Sequence, residues 1–75
     1  TRIELTNETT DLTNYVADYE TMKLIKVEQS VPLKLILDDN GSIDFPHNQS
    51  ILVKNRKVSI KKPALITCTI TVELS

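Results

Sequence analysis

Seventy-five residues with a net charge of −1, 40% of them hydrophobic and 25% charged, fit one domain, residues 1–75. A chain this short buries only about 60% of the surface its unfolded form exposes, so its stability is marginal unless a disulfide, a metal or a partner chain adds to it. The lone Cys68 excludes an internal disulfide, the lone Gly41 excludes a phosphate-cradling glycine loop, and no apolar run is long enough to span a membrane.

Residues 2–6 set Ile3 and Leu5 against Arg2, Glu4 and Thr6, a period of two that predicts a first short strand. In the next stretch Leu12, Tyr15, Val16, Tyr19 and Met22 recur at helical spacing. Thr9, Thr10 or Asp11 can serve as N-cap, and the spacing predicts one short helix near residues 10–21. The same stretch is full of Thr, Asn and Asp and lacks a capping box, so the alternative is a polar loop or an arm that orders on a partner.

Ile25 and Val27 alternate with Lys26 and Glu28, a second strand that Ser30 and Pro32 interrupt. Leu33, Leu35 and Leu37 share a face, Asp38-Asp39-Asn40-Gly41 supplies turn chemistry, and Ile43 and Phe45 resume the alternation, which predicts a β-hairpin. Ile51 and Val53, a turn at Asn55-Arg56, and Val58 with Ile60 predict a second hairpin, whose turn lacks the glycine that a type I′ turn prefers. Lys61-Lys62-Pro63 ends it. Residues 66–74 carry the clearest signal: Ile66, Cys68, Ile70, Val72 and Leu74 on one side, Thr67, Thr69, Thr71 and Glu73 on the other.

The sum is a mainly β fold, a small antiparallel β-sandwich or partly open barrel of six to seven short strands, with the one short helix. Scarce glycine favours the open forms over a tightly closed barrel. The expected core joins the apolar row of residues 66–74 to Leu33, Leu35, Leu37, Ile43 and Phe45.

Catalytic chemistry finds little to use. Aligning Gly41 with the glycine of an EF-hand loop puts Ile36 at the first carboxylate position and His47 at the bidentate glutamate, so Asp38, Asp39, Asn40 and Asp44 read as a solvated turn and not a calcium loop. His47 has no convergent partners, and Cys68 falls on a core face. The expectation is a protein that is not an enzyme and takes no cofactor or metal.

Charge is segregated. Residues 1–50 hold nine acidic and four basic groups, while residues 51–75 hold five basic and one acidic. Lys54, Arg56, Lys57, Lys61 and Lys62 form a candidate basic contact surface able to meet phosphates, although no aromatic residue lies among them. The blander role is to solubilise exposed strands and blunt a sheet edge. Residues 66–74 carry only Glu73 as a charge. At a sheet edge Thr67, Thr69, Thr71 and Glu73 would mark a candidate pairing strand, the alternative being a strand internal to the sheet.

By elimination the leading expectation is a non-catalytic structural or interaction module that self-assembles, as a homo-oligomer, or docks on a larger assembly such as an auxiliary component of a virion or surface layer. The alternatives are a small nucleic-acid-binding or regulatory β-domain using residues 54–62, and an inhibitor acting through the acidic surface of the first half. The first thirty residues lack the order of a signal peptide, which suits a soluble cytoplasmic protein or part of a viral particle.

Overall fold

Alternating inward aliphatic and outward polar side chains build eight strands in the computed structural model, which describes residues 1–75. They are β1 (Arg2–Leu5), β2 (Thr9–Asp11), β3 (Thr21–Val27), β4 (Lys34–Leu37), β5 (Ser42–Asp44), β6 (Ser50–Leu52), β7 (Val58–Lys61) and β8 (Cys68–Leu74). They form two four-stranded sheets, ordered β1-β8-β3-β6 and β2-β7-β4-β5, with every strand pairing antiparallel. The sheets do not close into a barrel, so the fold is a small β-sandwich. The Cα radius of gyration, 11.2 Å, matches the roughly 11 Å expected of a single compact body of this length.

The four inner strands, β8 and β3 in one sheet and β7 and β4 in the other, are flanked on each side. In β8, Cys68, Ile70 and Val72 are buried, while Thr69 and Thr71 lie on the outer face. The registers Leu5↔Cys68, Ile3↔Ile70 and Leu24↔Val72 bring the apolar rows of neighbouring strands together. Fourteen buried side chains form one cluster, to which the second sheet contributes Leu35, Val58 and Ile60.

No helix forms over residues 10–21. Thr9–Asp11 is strand β2, after which the Asp11 carboxylate accepts the Thr13 amide at 2.9 Å. The Thr13 hydroxyl then accepts the Val58 amide at 3.0 Å, and the Leu12 amide reaches the Val58 carbonyl at 2.8 Å. These bonds hold the chain to β7, so the helical spacing yields only isolated turns, with Val16 N–H on the Leu12 carbonyl and Tyr19 N–H on that of Val16. Leu12 and Val16 still enter the core, whereas Tyr15 and Tyr19 stay exposed.

The first hairpin forms as expected, with Leu35↔Ile43 in register and Asp38, Asp39 and Gly41 in left-handed conformations. The second does not. β6 joins β3 in one sheet and β7 lies in the other, because both edges of β7 are already filled by β2 and β4. Residues 53–57 cross between the sheets instead, with Val53 and Val58 anchored in the core at the two ends. The last strand begins at Cys68, not Ile66, since Ala64 and Leu65 make a turn that leaves Ile66 40% exposed. Ile43 is 52% exposed because edge strand β5 has no neighbour beyond it.

Ile70 is wholly buried at the centre of the longer sheet. Truncation to Ala should lower the unfolding free energy by about 2–5 kcal/mol, measured by urea denaturation, without changing the slope of the transition.

Candidate functional site

Three surfaces collect the side chains singled out by sequence: the loop pole before β7, the depression at the far end of β7, and the sheet edges. At the loop pole, Arg56 Nε donates to Asp38 Oδ2 at 2.8 Å and the Lys57 amide donates to Asp38 Oδ1 at 3.1 Å. Lys57 Nζ reaches Asp39 Oδ2 at 3.2 Å, and the Arg56 guanidinium also donates to the Leu52 carbonyl at 3.3 Å. The left-handed backbone at Asp38, Asp39 and Asn55 aims these groups at one another. A shallow depression of about 450 Å³ lies over the knot, with Thr13, Ala17 and Val53 on its walls.

The Arg56 guanidinium and the Lys57 amide hold the Asp38 carboxyl below the usual aspartate range. These acids neutralise two of the five cations of the basic cluster, Arg56 and Lys57, and tie the β4–β5 turn to the β6–β7 crossover. Val58, Ser59 and Ile60 of β7 separate Lys54, Arg56 and Lys57 from Lys61 and Lys62. The five cations are thus not brought together into one stripe.

At the far end of β7 a second depression, of about 440 Å³, is lined by Lys34, Lys61, Lys62, Glu8, Pro32 and Pro63, among others. Lys34 and Lys61 are direct cross-strand partners on the outer face of the sheet. Lys34 also pairs with Asp44 of β5. Lys62 turns inward, is 3% exposed, and gives its ammonium to the Pro63 carbonyl at 3.1 Å. Lys34 carries no sequence signal for this grouping, because it lies far from Lys61 along the chain and only strand register joins them.

Thr67, Thr69, Thr71 and Glu73 do not mark an open edge. β8 lies between β1 and β3; the Thr69 amide is taken by Gln29 Oε1 at 2.8 Å and its carbonyl by the Glu28 amide at 2.9 Å. The free edges are β1, β2, β5 and β6. Arg2 and Glu4 guard β1, Asp11 guards β2 and Asp44 guards β5, but β6, Ser50-Ile51-Leu52, has no charge and exposes 64% of Leu52. The Val53 amide bonds the carbonyl of Glu20, the residue just before β3, at 2.8 Å, so by antiparallel alternation Ser50 and Leu52 turn their backbone groups away from the sheet. Sequence alternation missed β6 as an edge because it placed Ile51 and Val53 in a hairpin; the available signal was a strand run free of charge.

His47 sits in the β5–β6 connection, where Nε2 donates to the Ile25 carbonyl at 2.6 Å, a carbonyl displaced by the bulge between Leu24 and Lys26. Cys68 is fully buried, and burial pushes its thiol pKa up. No group of three or more His, Cys, Asp or Glu side chains is placed to hold a metal ion, and no helix is long and apolar enough to cross a membrane. No protein-family model, curated protein or solved structure matches the chain.

The depressed pKa of Asp38 sets a pH signature. Its contribution to stability is present above the ordinary aspartate value and is lost as pH falls through the lower folded value. Asp38→Asn should therefore show a lower denaturation midpoint than the parent at neutral pH, and the gap should close on acidification below the aspartate range.

Proposed function

We propose that the protein is a non-catalytic interaction module that pairs with a second copy of itself through the edge strand β6. The observation that carries this is the uncharged β6 edge with Leu52 exposed upon it. An antiparallel pairing centred on Ile51 sets Ser50 of each copy against Leu52 of the other. Those are the residues whose backbone groups face outward, so each pair can exchange both of its hydrogen bonds. The same register sets Lys54 opposite Asn48, so no like charges face each other.

The contact is isologous and closes as a dimer, joining two four-stranded sheets into one of eight. The Leu52 carbonyl has a second lone pair to offer beside its long bond from Arg56. A core of only 14 side chains makes additional buried surface valuable to so small a domain. Three paired residues make a small contact, which suits reversible association over permanent assembly.

Sedimentation velocity over a concentration series tests the proposal. The parent chain should shift from monomer toward dimer as concentration rises, and Leu52→Lys should remain monomeric with its unfolding free energy changed by less than about 0.5 kcal/mol. A parent that stays monomeric at every concentration, or a Leu52→Lys variant that dimerises equally well, overturns it.

A further inference from the structure

The depression at the far end of β7 concentrates positive charge that the protein itself leaves largely unanswered. Lys34 and Lys61 stand directly opposite each other across β4 and β7, an arrangement that costs stability when both side chains are cations. Lys62 adjoins them, nearly removed from water, with a backbone carbonyl as its acceptor and no carboxylate within ion-pair distance. Asp44 answers Lys34 alone, and Glu8, although it lines the depression, forms no ion pair with any of the three. The opposite pole differs: there Arg56 and Lys57 are matched by Asp38 and Asp39.

The rim of the same depression continues into an apolar tip. Pro63 and Ala64 line it, and Leu65, next in the chain, is fully exposed with φ of 66°. A bulky residue in the left-handed region at a turn tip is a costly choice where glycine or asparagine would sit without strain. Ile66 follows, also exposed.

We propose that this depression binds a phosphate group between Lys34 and Lys61, with Lys62 adding its charge from the lining. A doubly charged anion there relieves the repulsion of the opposed lysines and supplies the counter-charge that Lys62 lacks; lysine serves such an anion as a point charge. The site is independent of β6 and of the pairing proposed above. The phosphate can belong to a soluble phosphomonoester or to a lipid headgroup, and Leu65 separates the two sources, since an exposed apolar tip beside a basic site adds affinity by burial in a bilayer and is not needed to hold inorganic phosphate.

Titration of the intact 15N-labelled protein with inorganic phosphate at low ionic strength tests the site, read by two-dimensional amide spectra. Saturable shifts should centre on Lys34, Lys61, Lys62 and Glu8. The double variant Lys34→Gln/Lys61→Gln should bind at least about tenfold more weakly while keeping the dispersed spectrum of a folded chain, and Arg56→Gln should bind like the parent. In a second arm, phosphatidylcholine vesicles with and without phosphatidic acid are mixed with parent and Leu65→Ser. Binding that needs the anionic lipid and falls in Leu65→Ser assigns the phosphate to a headgroup; inorganic phosphate binding without vesicle binding assigns it to a soluble compound. The proposal is overturned by an absence of saturable shifts up to about 10 mM phosphate, or by unchanged affinity in the folded double variant.

Discussion

The inward row of β8, Cys68, Ile70 and Val72, is the contact on which the rest of the molecule depends. β1 has no strand partner except β8, and without it β3 would keep only the three-residue β6. The pairing spans nearly the whole chain: the Thr1 ammonium donates to the Val72 carbonyl at 2.9 Å across 71 positions. Loop-closure entropy opposes such a contact until the aliphatic rows meet, so burial of these side chains has to supply the closure. The second sheet follows the same logic at smaller scale. β7, flanked by β2 and β4, sends Val58 and Ile60 into the shared core from the opposite face.

The fold was legible where alternation and turn chemistry agreed. The faultless alternation through Leu74 identified β8 and its inner face, and Asp38 to Gly41 marked the turn between β4 and β5. The misleading stretches were those where tertiary partners outranked local pattern. Helical spacing at Leu12, Val16 and Tyr19 gave way because Thr13 and Asp11 bond along and beside β7, a competition that a local pattern does not register. The Asn55-Arg56 turn looked like a hairpin because hydrophobic alternation shows that two strands exist but not whether they share a sheet.

The basic cluster illustrates the same limit at the level of a site. Five cations close in sequence are separated in space by the length of β7, with Arg56 and Lys57 absorbed by the acids of the neighbouring turn. Lys61 and Lys62 gain a partner, Lys34, that only register reveals. Segregation of charge along the chain therefore does not become segregation between two halves of the surface. It becomes one neutralised pole that locks loops together and one pole where positive charge is left over.

What remains open to other molecules is set by how the edges are guarded. Three of the four free edge strands carry charged residues, and β6 carries none, so the backbone of Ser50 and Leu52 is the most available template for another strand. Amide hydrogen exchange followed as a function of protein concentration tests this most directly. In dilute solution the Ser50 and Leu52 amides should exchange quickly while those of β8 are the slowest in the chain, and raising the concentration should slow Ser50 and Leu52 selectively. Exchange at these two amides that is independent of concentration, or β8 amides no slower than those of the edge strands, would contradict it.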